Sequence, residues 1–174
     1  MSFIIAQILG LVATVTSISV YQFKNEKIIL LGQFLTNLFM AINFGLLGGL
    51  SAAWICMVAA FETLLMFLIN KKCQKNKKTI KNVLVILFLI VFIIGTFVTY
   101  GGWPDILVCI CAVLYTLSVA QEESGKIRSI MFFNAALWII YDITLGAWTS
   151  IITHGLTLAS IIAGMVRLDR KKKE

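Results

Sequence analysis

The stretch SVYQFKNEKI, Ser19–Ile28, returns ninety-nine residues later as SVAQEESGKI, Ser118–Ile127. Both read S-V-x-Q-x4-K-I, a polar string at fixed spacing inside an otherwise apolar chain. The same ungapped shift, carried outward, pairs Ala13 with Ala112, Phe34 with Phe133, Leu38 with Leu137 and Leu46 with Leu145. It also pairs Ser51 with Ser150, Ala60 with Ala159, Met66 with Met165 and Lys72 with Lys171, while Asn43 falls on Asp142 and Asn70 on Asp169. Two apolar sequences agree by chance at some Leu and Ala positions, but a polar string matched without a gap is harder to obtain that way. The chain reads as a duplication, and a repeat sets architecture before any single motif does.

Composition says what is duplicated. The 174 residues are 60% hydrophobic and 13% charged, with a mean hydropathy of +0.96. Soluble domains carry about a quarter charged residues, and a water-soluble fold of this size has no core large enough for so much apolar surface. A membrane-spanning helix needs about 20 apolar residues. Seven segments qualify: Phe3–Phe23, Ile28–Leu47, Ala52–Asn70, Val83–Tyr100, Ile106–Ala120, Ile127–Leu145 and Ile151–Leu168, the fifth being the shortest. The first has no basic stretch ahead of it and no small-x-small cleavage site behind it, so it reads as a permanent span and not a signal peptide.

The expected fold class is an all-α membrane protein with seven transmembrane helices. Residues 1–72 form a first three-helix repeat and residues 73–101 a lysine-rich loop with a linker helix. Residues 102–174 form a second three-helix repeat with a basic tail. The odd linker brings the second triplet in with the same orientation as the first, giving a parallel 3+1+3 repeat about an axis along the membrane normal.

Charge sets the orientation. Eight connecting and terminal segments alternate between two sides. On the side of the N-terminus, Met1–Ser2, Gly48–Ser51, Gly101–Asp105 and Gly146–Ser150 contain no Lys or Arg. All fifteen basic residues fall on the other side, including six lysines in KKCQKNKKTIKN, Lys71–Asn82. Basic residues of short loops stay cytoplasmic, so the N-terminus is expected outside and the C-terminus inside. The lysine run reads as a topology determinant facing anionic lipid. It has no interleaved aromatics and no nucleic-acid motif, so nucleic acid is not an expected partner.

Polar residues inside the spans are the candidate site, because intramembrane ionisable groups face a cavity or a partner. Glu62 and Asp142 are the acids within spans and His154 is the one histidine. Asp142 and His154 lie six residues either side of a turn near Trp148, roughly 6–9 Å below the outer helix ends. They are placed to pair across that hairpin, as a proton site or as a hydrogen bond stapling two helices. Asn37 and Glu62 stand equidistant from the turn near Gly49, so a Glu62–Asn37 hydrogen bond is expected near mid-membrane, with a coupling proton on Glu62 as the sharper alternative. Asn134, Trp138 and Asp142 recur every fourth residue and share a helix face, either a pore-facing row or interhelical glue with an interfacial aromatic. With Asn43 and Tyr141, these amides and aromatic faces suit a neutral, hydroxyl-rich or heteroaromatic solute.

Several chemistries lack their signatures. Cys56, Cys73, Cys109 and Cys111 include no CxxC pair, so neither a metal nor a cofactor is expected. No GxSxG, HExxH or Gly-rich phosphate loop is present. The leading expectation is a gradient-driven transporter or facilitator of a small solute. Against it stand a non-transporting membrane protein, as an assembly partner or lipid-responsive factor, and an intramembrane enzyme using Asp142 and His154. Two triplets in one chain can form a pore alone, so a homo-oligomer is an allowed partner state but not a required one.

Three stretches carry a resemblance: AQILGLVATVTSISVYQFKNEK (Ala6–Lys27), NFGLLGGLSAAW (Asn43–Trp54) and WIIYDITLGAWTSIITHGLTLASIIAGMVR (Trp138–Arg167). The chain resembles the YgjV-type bacterial inner-membrane proteins over essentially its whole length, through diffuse motifs of small and aromatic residues. The resemblance implies kinship with the SWEET and PQ-loop transporter folds, a site between the two triplets, and no particular substrate. The chain departs from the PQ-loop pattern in having one proline, Pro104, at the outer mouth of the fifth span. Bending would fall to Gly10, Gly32, Gly95, Gly155 or Gly164.

Overall fold

A computed structural model describes residues 2–46, 50–72, 77–98, 102–145 and 148–169. Cys73, Lys75, the first-repeat turn at Gly49 and the tail from Arg170 to Lys173 lie outside the described residues. The described chain is seven α-helices without a strand: α1 Ser2–Val20, α2 Glu26–Leu46, α3 Leu50–Lys72, α4 Lys77–Val98, α5 Pro104–Val119, α6 Ser124–Leu145 and α7 Trp148–Gly164. The last continues as a π-helical turn, Met165–Asp169. Each helix falls on one of the seven apolar segments. In hydrocarbon, helices satisfy every backbone N–H and C=O within one segment, which is why such sequences take no other form.

Among the described residues, four helices are long and apolar enough to cross a bilayer by themselves: α3, α4, α6 and α7 with its π turn. α5 has 16 residues, about 24 Å of helix against a hydrocarbon core of ~30 Å. α2 carries Gln33, Thr36, Asn37 and Asn43. Gln33 and Asn43 are buried, so their polarity meets protein and not lipid. A helix in the middle of a bundle can stay polar where a peripheral one cannot.

α2 packs on both α1 and α3, and α6 packs on both α5 and α7. Between these groups, α1 touches α7, α3 touches α5, and α2 touches α6. α4 lies at the periphery. Its Val83, Ile86, Ile90, Ile94 and Phe97 are exposed, and only Lys81, Phe88 and Phe92 are buried. Phe88 and Phe92 anchor it against Ala59, with Ala112 and Tyr115 alongside. Lipid tails are as apolar as leucine, so close packing and hydrogen bonds hold such helices together in place of a hydrophobic drive. Small residues supply the packing: Ala6, Ala13, Ala41, Ala59 and Ala60 are all buried.

Arg128, at the start of α6, organises one end of the bundle and is fully buried. Its Nε donates to Asp169 Oδ2 at 2.9 Å and its Nη2 to Asp169 Oδ1, a two-pronged grip. Nη1 donates to the carbonyls of Phe23 at 2.7 Å and Tyr21 at 3.5 Å, and Nη2 reaches Ser124 Oγ at 3.2 Å. From the sequence Arg128 counts only as one of the basic residues on the side opposite the N-terminus. Its burial adds a role: its five N–H donors find a carboxylate and two free helix-end carbonyls inside the protein, a match that a lipid surface does not offer.

A second cation bridges similarly. Lys81 Nζ donates to Asn70 Oδ1 at 3.2 Å and to Glu122 Oε1 at 3.3 Å, while Lys77 Nζ approaches the same oxygen at 2.9 Å. Arg167 Nη2 donates to the Gln22 carbonyl. The ends of α1, α3 and α7, the starts of α4 and α6, and the α5–α6 turn thus meet at one end of the molecule. Each helix runs against the one before it, and the described basic segments gather at that end.

Glu122 lies outside the apolar segments, and its carboxyl is held below the usual carboxylate range. The Lys77 hydrogen bond does most of this, partial burial opposes it, and Lys81 adds to the lowering. A lowered acid stabilises the fold above its unfolded value of about 4.3 and loses that contribution as pH falls through the folded value. In an acid titration of thermal stability, Glu122→Gln is expected to melt below the parent at neutral pH, with the gap closing as the carboxyl protonates. A constant gap would remove the lysines from the account.

Candidate functional site

The eight residues singled out from the sequence do not line one cavity; they separate into three groups. Asn43 and Asn134 are staples within a triplet. Asn43 Nδ2, on α2, donates to the Ala6 carbonyl of α1. Asn134 Nδ2, on α6, donates to the Cys111 carbonyl of α5 at 2.6 Å. Both are buried. A side-chain amide meets a main-chain carbonyl only where the helices approach closely, and Gly10 allows this near Asn43: a Cβ there would sit 3.0 Å from Asn43 Nδ2.

Trp138, Tyr141, Asp142 and His154 form the second group, at the α6–α7 hairpin. His154 Nδ1 lies 2.6 Å from Asp142 Oδ2. The Trp138 ring stacks on the imidazole with centroids 5.5 Å apart and planes 16° apart, and Tyr141 meets the Trp138 ring edge-on. The pairing anticipated from hairpin geometry is made. It joins two helices of the same triplet, as Asn43, which falls on Asp142 in the repeat, joins α2 to α1.

The third group crosses from α2 and α3 to α5 and includes Asn37 and Glu62. Asn37 Nδ2 donates to the Tyr115 hydroxyl of α5 at 2.6 Å and to the Gln33 carbonyl at 3.0 Å. Tyr115 and Thr63 hydroxyls are 2.6 Å apart, and Thr63 Oγ1 donates to the Ala59 carbonyl at 2.8 Å. Since the one Thr63 hydrogen is spent on Ala59, Tyr115 donates to Thr63. The relay is directional: Asn37 to Tyr115 to Thr63 to Ala59. The expected Glu62–Asn37 bond is absent, because Tyr115 reaches across from α5 and takes the amide first.

Glu62 is fully buried, and neither carboxyl oxygen has a hydrogen-bond partner among the described residues. Thr116 of α5 is its near neighbour but falls outside hydrogen-bond geometry, and the buried Thr116 Oγ1 is likewise unpartnered. Gln33 Oε1 and Thr36 Oγ1 on α2 are further buried oxygens without partners, while Gln33 Nε2 approaches the Tyr21 hydroxyl at 3.4 Å. The seam where α2, α3 and α5 meet therefore holds one satisfied relay beside the unpartnered Glu62 carboxyl and Thr116 hydroxyl. Buried polar atoms are otherwise almost always paired, so a cluster without partners marks a place where something else binds or moves.

Tyr115, Thr63, Thr116 and Gln33 were not foreseen. Hydroxyl and amide groups are common in spans as packing residues, and only the approach of α5 to α3 sets these apart. Tyr115→Phe deletes one donor and one acceptor of the relay. It is expected to cost about 1–3 kcal/mol, read as a lowered melting temperature in detergent. An unchanged melt would mean that the relay does not hold the seam.

No group of three or more His, Cys, Asp or Glu among the described residues is arranged to hold a metal ion. No curated protein and no solved structure matches the chain. Residues 4–172 do match a family model, that of the bacterial inner membrane proteins termed Imp-YgjV. With apolar helices throughout and the match covering nearly the whole length, the protein belongs to that family and is a multi-pass protein of the bacterial inner membrane.

Proposed function

We propose that this protein is a transporter or facilitator of a small solute, with its path along the seam between two three-helix repeats. The observation that carries the reading is the polar seam itself: a directional relay and an unpartnered buried acid where α2 and α3 meet α5. A purely structural bundle gains nothing from leaving such oxygens unsatisfied in the membrane, where each costs free energy.

The interfaces support a parallel 3+1+3 repeat. Exchanging the triplets turns the α1–α7 contact into the α5–α3 contact and returns α2–α6 to itself. The segments joined by two bridging cations obey the same exchange, although the cations themselves do not correspond, Arg128 falling on Ile29 and Lys81 lying in α4. Arg128 joins the end of α7, at Asp169, to the α1–α2 turn, at Phe23. Lys81 joins the end of α3, at Asn70, to the α5–α6 turn, at Glu122. Asn70 and Asp169 stand ninety-nine residues apart, and so do Phe23 and Glu122. Both bridges close the basic end, which the positive-inside rule puts in the cytoplasm, leaving the N-terminus outside.

The solute class that fits is neutral and hydroxyl-rich or heteroaromatic, with donors for the free oxygens of Gln33 and Thr36. In this reading no bond of the solute is broken. Proteoliposomes carrying the protein should exchange at least one radiolabelled member of a broad panel of such solutes faster than empty vesicles. A panel with no excess flux would overturn the reading.

One observation favours a second reading, a lipid-responsive protein that transports nothing. A groove of about 900 Å³ at the basic end is lined by Lys77, Lys78, Lys81 and Lys126, with Glu122 and Glu123 paired to three of them and Val85 and Leu117 on its apolar wall. Basic pockets between helices on that side suit anionic headgroups. Stability that follows the anionic-lipid content of nanodiscs, with no flux in the panel, would favour it.

A further inference from the structure

Glu62 stands at the middle of α3, ten residues from its basic end and twelve from the other, so about 15 Å of helix separates it from water on the nearer side. It is wholly enclosed, and the ion pairs among the described residues all join other groups. An ionised carboxylate held without counter-charge in such a place is strongly disfavoured. A carboxyl that is neutral has a hydrogen to donate, and the unpartnered Thr116 Oγ1 beside it is an acceptor in want of one.

Among the described residues no cation pairs with Glu62. α2 brings the uncharged Asn37 to this seam. α5 presents Tyr115 and Thr116, the Tyr115 hydroxyl already committed to Asn37 and Thr63. The titratable group of α4 on this side, Lys81, is held at the basic end by Asn70 and Glu122. A proton needs a single oxygen, which the Glu62 carboxyl supplies, whereas a sodium ion would need several oxygen ligands at once.

We propose that Glu62 is a proton-binding site in the seam between the triplets, neutral in the closed arrangement, with a small side-chain rotation bringing its hydrogen onto the neighbouring Thr116 Oγ1 across the α3–α5 contact. When α3 and α5 part, water enters, the O–H bond breaks heterolytically, and the proton passes to water while the electron pair stays on the carboxylate. Closing the seam reverses this. The site thereby deepens the transport reading by naming the coupling ion, and rests on that reading for the coupling alone.

Infrared difference spectroscopy on the full chain in nanodiscs tests the site without any solute. At neutral pH the parent should show the C=O stretch of a protonated carboxyl, absent in Glu62→Gln, shifted in Glu62→Asp, and lost reversibly on raising the pH. Thr116→Val should move the band to the position of a carboxyl without a hydrogen-bond acceptor. No such band, a band that persists in Glu62→Gln, or a band removed by sodium at fixed pH would overturn the proposal. Coupling is read separately, with a pH dye inside proteoliposomes. Solute flux without proton movement would overturn the coupling. An absence of solute flux would overturn the transport reading and leave the band, and hence the site, standing.

Discussion

Arg128→Met is expected to lower stability by about 3–5 kcal/mol, the usual cost of removing one partner of a buried ion pair. The variant strands the Asp169 carboxylate, which has no other ion-pair partner among the described residues, and withdraws donors from the Phe23 and Tyr21 carbonyls. Arg128→Lys should fall between variant and parent, since an ammonium cannot grip both carboxylate oxygens and reach two carbonyls from one plane. Adding Asp169→Leu to Arg128→Met should recover part of the loss, because replacing both partners removes the uncompensated charge. Thermal melts of the four proteins in one detergent decide the matter. If Arg128→Met melts like the parent, the residue is a loop cation after all, and the closed basic end loses its main tie.

Gly164→Ala is the second large effect, expected at about 3 kcal/mol. A Cβ at Gly164 would lie 2.4 Å from the Tyr21 carbonyl oxygen and 3.1 Å from Arg128 Cδ. A backbone oxygen cannot rotate out of the way, so α7 must withdraw from the end of α1. That movement strains the Gln22 amide contacts to the Ser160 carbonyl and hydroxyl, at 2.7 and 2.8 Å, and the Arg128 grip beneath them. Gly155→Ala is the matched control. It sits on the same helix with nothing within 4 Å of the added carbon, so it should be neutral or slightly stabilising through helix propensity. Equal melts for the two variants would mean that α7 does not press on α1 at Gly164.

The residues legible in advance were those whose placement follows from counting along one hairpin. Asp142 and His154 are equidistant from a turn, and antiparallel helices joined by a short turn bring such positions to one level. Asn37 and Glu62 are equidistant in the same sense, yet they do not pair. Level fixes depth but not azimuth, and the third helix to arrive, α5, supplies Tyr115 to the Asn37 amide. The role of Arg128 was illegible for a related reason. Its charge at the start of the sixth apolar segment marks the basic side, while its burial depends on Asp169, forty-one residues on, and on the end of α1.

Apolar runs of about twenty residues admit helices alone in a bilayer, so the sequence settled seven helices, their alternating course and the gathering of basic segments at one end. Local hydrogen bonding and hydropathy act within a segment and need no partner to be read. Which polar groups would find each other was decided by the packing of helices distant in the chain. The meeting of α5 with α3 left Glu62 enclosed without a partner while satisfying Asn37 beside it. A hydrogen bond depends on a few tenths of an ångström and on the rotation of each helix about its axis, and the order of residues along the chain encodes neither directly.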